Sequence, residues 1–239
     1  MDKKICLITN GRLGSKRLPS KMINDFAGNN SLFRIICEKF KKINNFPQED
    51  VWVSIYEQQL KDIAYELGIK THHRSYESAN CDSPISLIWD WCNHEDFAQY
   101  THYCYINPCL PLLTSNTISE FVDFCHKTDY NSVFGVKPIC DYVWKDNGES
   151  VIPGGKITLL NTKDKNLQGN VLAAHCLYHG RMDRLRDEIQ LGGFLKGDPY
   201  FYTINNKIET LDVDDNEDWI IAEAAYEKIY GRKSQYNYM

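Results

Sequence analysis

The sequence lacks any long apolar run and any closely paired cysteine motif. No run approaches the roughly 20 apolar residues that a transmembrane helix needs. The apolar run near the start is too short for a signal peptide, and no small-residue cleavage site follows it. The nine cysteines include no C-x-x-C pair and mostly fall inside apolar runs, where a free thiol acts as a small hydrophobe. These absences predict a cytoplasmic protein without a membrane span, a zinc site or a disulfide framework.

An excess of positive charge is also missing. Lys and Arg total 27 against 32 Asp and Glu, which gives a net charge of -5, and this balance argues against nucleic acid as a partner. One short segment, GRLGSKRLPSK over residues 11–21, nevertheless has four cationic side chains and two glycines. It has neither G-x-x-x-x-G-K-[ST] nor G-x-G-x-x-G, so it is not one of the standard phosphate-binding loops. A local cluster of positive charge predicts a local anionic ligand.

Apolar residues follow strand and helix periods in turn through the first 137 residues. Short β-branched or apolar runs predict strands, and the amphipathic runs between them predict helices. The predicted strands cover 3–9, 51–55, 69–73, 102–106 and 131–137, and the predicted helices cover 31–43, 57–68, 84–95 and 117–128. Ser31 is the expected cap of the first helix, and Thr117 with Glu120 forms a candidate capping box. This alternation is typical of an α/β fold with a mostly parallel central sheet.

The pattern loosens in the second half of the chain. Gly and Pro punctuate residues 138–170, which predicts hairpins and loops. A strand is expected around residues 170–179, a charged helix-like segment follows it, and a last strand over 209–215 leads into an amphipathic helix. The length of 239 residues suits one domain. We therefore predict a single domain over 1–239 with an inserted arm over 138–205.

The cationic segment follows the first predicted strand directly. In an open parallel sheet, ligands bind beyond the carboxyl ends of the strands. Gly11 and Gly14 can adopt backbone shapes that turn amides toward phosphate oxygens. The charges would come from Arg12, Lys16, Arg17 and Lys21. A phosphate-binding loop and a solvated basic loop are both consistent with spacing alone.

The stretch ITNGRLGSKRLPSKMI resembles the nucleotide-binding motif R-x-G-S-K-R-L-P-x-K-N of the acylneuraminate cytidylyltransferases, which activate sugar acids. The resemblance continues at residues 51–74, 106–113 and 209–227, in the same order along nearly the whole chain. It implies a three-layer, Rossmann-like nucleotidyltransferase fold of the GT-A-like kind, and CTP as a substrate. The implied catalytic residues on the triphosphate are Arg12, Lys16 and Lys21. The implied nucleotide-binding residues are Gly11, Gly14, Ser15, Arg74, Ser83 and Ser86.

Two carboxylates stand two positions apart at the end of the last predicted strand. Asp212 and Asp214 would share one strand face and converge, and paired carboxylates beside phosphate oxygens suit Mg²⁺. The alternative is that these residues only end a strand and precede a helix, for which Asp215 and Asn216 are the expected caps and Asp218 a structural residue. The family resemblance favours Asp212 and Asp214 as the metal ligands. It implies that Mg²⁺ orients the acceptor and the α-phosphate while pyrophosphate leaves.

The acceptor side departs from the family pattern. Asn107 stands where glutamine is usual, Leu113 replaces an arginine, and the usual asparagine–glycine step near His175 is missing. Asn107 and His175 are the candidate acceptor-binding residues, with His179 as an alternative to His175. A histidine satisfied at a strand edge is an equally good interpretation.

Three functions remain open at this stage. The leading one is transfer of CMP from CTP to a sugar acid or a related capsule or cell-surface glycan precursor. The second is a nucleotidyltransferase that uses CTP or another NTP and a sugar or polyol phosphate, for which Arg181, Arg184 and Arg186 could hold the phosphate; a solvated helix face is the preferred interpretation of those arginines. The third is a catalytically silent nucleotide-binding protein. The family resemblance also implies a homodimer formed through the inserted region.

Overall fold

The structure is a computed structural model that describes residues 3–28, 30–139, 144–149, 151, 171–192 and 197–231. Its centre is a seven-stranded sheet in the order β3-β2-β1-β4-β6-β5-β7. The strands are β1 (Ile5–Gly11), β2 (Val51–Ile55), β3 (Lys70–His73), β4 (His102–Ile106), β5 (Ser132–Pro138), β6 (Val171–Arg181) and β7 (Tyr200–Thr203). Each neighbouring pair is parallel except the two that involve β6. The expected α/β fold with a mostly parallel sheet is confirmed.

Seven α-helices connect or flank the strands in the described part of the chain. They are α1 (Leu32–Lys41), α2 (Gln58–Glu66), α3 (Tyr76–Asn80), α4 (Ile85–Ile88), α5 (Ser115–Lys127), α6 (Met182–Arg186) and α7 (Asn216–Tyr230). Ser31 caps α1 as expected, because its side chain accepts a hydrogen bond from the amide of Arg34. The expected capping box of α5 is wrong: Thr114 is the N-cap and accepts from the amide of Thr117. None of the described helices is long and apolar enough to cross a membrane.

Both faces of the sheet are covered. On β1, Ile5 and Leu7 belong to a large apolar core that includes residues of α1, α2, α5 and α7, whereas Cys6 and Ile8 belong to a smaller core on the other face. The smaller core is mostly aromatic and includes Trp91. Alternate residues of one strand therefore enter different cores, which is why the strand is an almost continuous apolar run. The fold therefore has three layers, with the sheet between the coverings of its two faces.

Two predicted elements are wrong. The helix expected over 84–95 is the short α4 followed by 3₁₀ turns at Asp90–Asn93 and Glu95–Phe97, because the aromatic side chains here fold into one core instead of forming one face of a long helix. The strand expected over 209–215 is a 3₁₀ turn at Lys207–Thr210 followed by an extended segment. That segment does not pair with a strand, because the backbone of Val213 bonds to the loop after β4 and to Lys21.

The boundaries of the predicted arm also change. Residues 171–181 and 200–203 form β6 and β7 of the central sheet. β6 enters the sheet because it pairs with both β4 and β5 and buries Ala174, Cys176 and Leu177. The charged segment after β6 is helical only over Met182–Arg186. Residues 140–143, 150, 152–170 and 193–196 of the predicted arm lie outside the described residues.

Candidate active site

A cavity of about 510 Å³ opens at the carboxyl ends of the central parallel strands. Its walls come from the loop after β1, the segment between β3 and β4, and the residues at the end of β4. Asp214, far away in the sequence, completes the wall. The position is the one at which open α/β sheets bind ligands. The fold thus brings the cationic loop and the acidic segment to one site, as the sequence predicts.

One side of the cavity pairs two cations with a single carboxylate. Arg12 Nη2 lies 3.3 Å from Asp82 Oδ1, and Lys16 Nζ lies 2.6 Å from Asp82 Oδ2. Hydrogen bonds from Lys16 and Arg12 hold the pKa of Asp82 below its usual range. Arg12 also donates to the backbone carbonyl of Cys81, at 3.0 Å. These contacts fix Arg12 more firmly than Lys16, whose side chain is 82% exposed.

The opposite side pairs two further cations of the loop with Asp214. Arg17 Nη2 lies 3.0 Å from Asp214 Oδ2, and Lys21 Nζ lies 3.4 Å from Asp214 Oδ1. Lys21 is buried and donates to the carbonyl of Val213 at 2.6 Å. Burial lowers the pKa of Lys21, but the neighbouring Cys109 and the carboxylates of Asp214 and Asp212 raise it by more, so it lies above the ordinary lysine value. Lys21 therefore carries a positive charge in the wall of the cavity.

Arg74 lies in a more enclosed part of the cavity wall, with Trp89 and Tyr105 also in the lining. Arg74 Nε donates to Ser78 Oγ at 2.8 Å and Arg74 Nη2 donates to the carbonyl of Ile88 at 2.9 Å. The same carbonyl accepts from Asn10 Nδ2 at 3.2 Å. Burial lowers the pKa of Arg74, yet a guanidinium stays charged in proteins. This part of the site combines a fixed cation with flat aromatic surface, which suits a planar polar group.

The second carboxylate of the acidic pair lies next to Asn107. Asn107 Nδ2 donates to Asp212 Oδ2 at 3.2 Å and to the carbonyl of His175 at 2.8 Å. Asp212 Oδ1 is buried and has no hydrogen-bond partner among the described residues. Burial, followed by the nearby charge of Asp214, raises the pKa of Asp212 to about 6. Two adjacent carboxylates, one with an unpartnered buried oxygen, provide a hard-oxygen donor set that fits Mg²⁺.

The family model described as Cytidylyltransferase matches residues 5–147, more than half of the chain. The chain belongs to the cytidylyltransferase family. The matched range contains the cationic loop, Arg74 and Asn107, so the family resemblance inferred from residues 11–21 is confirmed.

Individual relatives agree with this family assignment. The cytidylyltransferase chain is 25% identical over 227 residues to N-acylneuraminate cytidylyltransferase A of Danio rerio, and the alignment covers 93% of this chain and 50% of that protein. The chain thus spans about half the length of this curated relative. Among solved structures, it is similar to CMP:2-keto-3-deoxy-manno-octonic acid synthetase complexed with CTP, with a TM-score of 0.66, 12% identity and coverage of 95% of this chain and 99% of that one. It is also similar to 4-diphosphocytidyl-2C-methyl-D-erythritol synthase of Anaerococcus prevotii, with a TM-score of 0.65, 12% identity and coverage of 95% and 97%. At these identities the solved structures establish the nucleotidyltransferase fold.

Most of the predicted site residues of this cytidylyltransferase chain lie in the cavity wall. The predicted residues that line it are Arg12, Ser15, Lys16, Lys21, Arg74, Asn107 and Asp214. Asp212 lies directly behind Asn107. Asp212 and Asp214 do not belong to a strand, and the residue between them, Val213, is buried. The two carboxylates are close enough for the charge of Asp214 to raise the pKa of Asp212.

Several other predictions need correction. Gly11 ends β1, and its role is close packing, because a Cβ there would lie 3.0 Å from side-chain atoms of Ile55 and Leu60. Neither Gly11 nor Gly14 has the left-handed φ expected of a phosphate-cradling turn; in this loop Ser20 has it, with φ 58°. His179 is buried in the core at 1% exposure and cannot reach an acceptor.

The remaining predicted residues lie at the edge of the site or beyond the described side chains. Ser83 is exposed and does not belong to the cavity wall, and the side chain of Ser86 lies outside the described residues. His175 is exposed on β6 with φ 50°, and only its carbonyl is shown in contact with Asn107. Its role in acceptor binding stays a prediction. Two of the three structural assignments at α7 are confirmed: Asp215 is the N-cap, and Asp218 completes the capping box. The third is wrong, because Asn216 is the first residue of the helix and not a cap.

Sequence reasoning missed a second group of lining residues. They are Asn10, Cys81, Asp82, Trp89, Tyr105 and Cys109. The aromatic residues were indistinguishable from core residues by pattern, and Trp89 is indeed in the aromatic core as well as in the cavity wall. Asp82 could have been noticed as the acidic residue directly before the predicted base-contacting Ser83.

Proposed function

We propose that the chain transfers CMP from CTP to a sugar acid of a capsule or cell-surface glycan and releases pyrophosphate. The observation that supports this best is the convergence of the loop at residues 11–21 with Asp214 around one cavity, with Asp212 held behind the wall by Asn107. Four cations provide charge for a triphosphate, and the carboxylate pair provides ligands for a divalent ion. The family match supports a cytidine nucleotide in particular.

The loop cations would act by binding charge that grows during the reaction. The acceptor hydroxyl gives up its proton to solvent and its oxygen bonds to the α-phosphorus, while the bond to the bridging oxygen of the β-phosphate breaks and its electron pair leaves with pyrophosphate. Negative charge then accumulates on pyrophosphate. Lys21, which is buried and held by the carbonyl of Val213, is the best ordered of the cations for this task. Preorganised charge of this kind contributes to catalysis because no reorganisation is needed as the reaction proceeds.

A triphosphate must displace existing carboxylate partners from the loop. Arg12 and Lys16 are paired with Asp82, and Arg17 is paired with Asp214. Phosphate oxygens would replace these carboxylates as acceptors. Asp214 would thereby be released from Arg17 and become available to a metal ion.

Asp212 and Asp214 are the residues that would hold Mg²⁺. When bound, the ion would neutralise phosphate charge and orient the reacting oxygens. Asn107 would position Asp212, since its amide donates to that carboxylate and its oxygen accepts from the amide of Cys109. Asn107 is also the candidate contact for the acceptor at this end of the cavity.

The described contacts favour a sugar acid over a phosphorylated acceptor. The arginines that could have bound an acceptor phosphate are all engaged elsewhere: Arg181 pairs with Asp183, Arg184 with Asp198, and Arg186 with the carbonyl of Cys92. None of the three lines the cavity. They are better explained as contacts that hold α6 against its surroundings.

A pyrophosphate-release screen tests the proposal. The full chain is incubated with Mg²⁺ and each of the four ribonucleoside triphosphates, together with a panel of sugar acids and of sugar or polyol phosphates. The expected result is turnover with CTP and a sugar acid, with a CMP-linked product identified by mass. A diphosphate-linked product, or equal turnover with UTP or GTP, would contradict the acceptor or the base assignment respectively.

Lys21→Ala is the matching variant. Because Lys21 stabilises charge that develops in the transition state, we expect its removal to lower turnover about 10²–10³-fold. Lys41→Ala, which removes an exposed lysine from the end of α1, is the control and should keep wild-type turnover. Near-normal turnover by Lys21→Ala would show that the loop does not have the assigned role.

A further inference from the structure

Two thiols and an imidazole meet in the core, away from the nucleotide cavity. Cys104 on β4 and His179 on β6 are directly opposite each other in the antiparallel pair, and Cys125 reaches them from α5. One ligand atom from each side chain lies within 4.8 Å of the other two. Each of the three residues is at most 1% exposed, and none lines the cavity. The three are far apart in the sequence, which is why cysteine spacing gives no sign of them.

The histidine of this cluster has a buried nitrogen without a partner. His179 Nδ1 lies 2.8 Å from the backbone carbonyl of Tyr103, and a carbonyl only accepts, so Nδ1 carries the proton. His179 Nε2 is then an acceptor, and it is buried with no hydrogen-bond partner among the described residues. Cys104 Sγ lies 3.6 Å from Nδ1, but Nδ1 holds its proton toward the carbonyl of Tyr103, so Nε2 is the nitrogen left to bind an ion. Metal-bound histidines commonly donate their other ring N–H to a backbone carbonyl in this way. Simple apolar packing would explain the thiols, but it leaves the orphaned nitrogen unexplained.

The charges of the cluster also suit a divalent ion. Two thiolates would neutralise a dication, and the imidazole ligand is neutral, so the buried complex would have no net charge. Burial raises the pKa of Cys125 well above that of a free thiol, but a coordinating metal deprotonates a thiol outright. The nearby Lys3 ammonium is already held by the carbonyls of Cys125 and Thr128, at 2.5 and 2.7 Å.

We propose that Cys104, Cys125 and His179 form a binding site for a soft metal ion such as Zn²⁺. Thiolate and imidazole ligands select Zn²⁺ over the hard Mg²⁺ expected at the acidic pair. Zn²⁺ is usually four-coordinate, so one position would remain for a small ligand. The bound ion would join α5 to two strands of the central sheet and stabilise the fold without taking part in nucleotide chemistry.

Cobalt spectroscopy on the intact, untagged and reduced chain tests the site. Co²⁺ reports thiolate ligation through a charge-transfer absorption band, and Zn²⁺ should displace it with a stoichiometry of one ion per chain. We expect Cys104→Ala and Cys125→Ala each to weaken Zn²⁺ binding by more than about 10-fold, since even the loss of an outer partner of a metal ligand costs that much. Cys37→Ala, which removes a thiol equally buried on α1, is the control and should bind like the wild type.

The cobalt measurement on the wild type tests the proposal even if Cys104→Ala or Cys125→Ala fails to fold. Absence of the thiolate-to-cobalt band in the wild type would overturn the proposal, and so would an unchanged band in both cysteine variants. Thermal unfolding gives a second readout. Zn²⁺ should raise the Tm of the wild type and of Cys37→Ala, and it should raise the Tm of folded Cys104→Ala by less; an equal shift in all three would contradict the site.

Discussion

Individual side chains in the cavity are held by partners that a substrate must replace. Asp82 is the clearest case, because it accepts from both Arg12 and Lys16. The three side chains are partly or largely exposed, and exposed ion pairs contribute little because water and salt screen them. Asp82 therefore competes only weakly with phosphate for Arg12 and Lys16, and it should change nucleotide affinity by a small factor.

Substitution of Asp82 by asparagine should tighten the binding of CTP. The amide keeps the size of the side chain but removes its charge, so Arg12 and Lys16 lose an ionic partner that competes with phosphate. We expect a decrease of about 2–5-fold in Kd, consistent with one exposed ion pair. Isothermal titration with CTP checks this, with Asp62→Asn on the exposed side of α2 as the control. Weaker binding by Asp82→Asn would mean that Asp82 positions the cations instead of competing for them.

The raised pKa of Asp212 leads us to expect that the stability of the chain depends on pH. Its pKa is raised to about 6, whereas an unfolded aspartate titrates near 3.9. Between these values the folded chain binds more protons than the unfolded chain, so stability falls as pH rises from about 4 to about 6. Asp212→Asn should remove this loss and be more stable than the wild type at pH 7 without metal, by up to about 3 kcal/mol. Denaturant unfolding at pH 4.5 and pH 7 checks it; equal differences at the two pH values would contradict the assigned pKa.

At the scale of elements, α1 supports the loop that follows β4. Lys39 is buried on α1 and donates to the carbonyls of Leu110 and Pro111, at 3.2 and 2.6 Å. This loop continues from Asn107 and Cys109, which line the cavity. The buried amine thus bonds two loop carbonyls, of which that of Leu110 also accepts from the amide of Leu113, and it holds the wall of the site from behind.

Lys39 should make stability rise with pH in a window that Asp212 does not affect. Burial lowers its pKa to about 7, and the unfolded value is near 10.4. Between these values the unfolded chain binds more protons, so the contribution of Lys39 to stability increases as pH rises from about 7. Lys39→Met keeps the approximate length of the side chain and removes its titratable amine. The unfolding free energy of the wild type, relative to Lys39→Met, should therefore increase by at least about 1 kcal/mol between pH 7 and pH 9. Parallel curves for the two proteins over this range would contradict it.

The elements differ in how well sequence predicts them, for physical reasons. β2 at 51–55 and β4 at 102–106 have the predicted bounds, because short strands covered on both faces appear as nearly continuous apolar runs. The stretch at 84–95 is equally apolar, but its tryptophans pack into an aromatic core through short turns, and periodicity cannot detect that. Residues 211–214 resemble a strand because Val213 is buried between polar neighbours, yet their backbone partners are loop and side-chain groups.

At the scale of the whole molecule, the sequence predicts the layered fold, the cationic loop and the acidic pair. It does not predict the aromatic residues of the cavity wall. The cationic loop and the acidic pair could be predicted because each has a composition that core residues rarely have. Trp89 and Tyr105 could not, because their side chains serve the aromatic core and the cavity at once. The position of β6 between β4 and β5 is likewise a tertiary result, since strand order depends on contacts between distant segments.

Because the cavity joins three distant parts of the chain, its ligand should stabilise the whole fold. CTP with Mg²⁺ would tie the loop after β1 to the segment around Arg74 and to Asp214, near the start of α7. A ligand at 100 times its Kd adds about 2.7 kcal/mol to the stability of the folded state. Because each 1 kcal/mol raises the Tm of a chain of this size by about 2–4 °C, the expected rise in Tm is about 5–11 °C. Differential scanning fluorimetry should show this shift with CTP and a smaller one with UTP at the same concentration. Lys21→Ala should reduce the shift and Lys41→Ala should keep it. A shift of equal size in both variants would place the nucleotide elsewhere on the molecule.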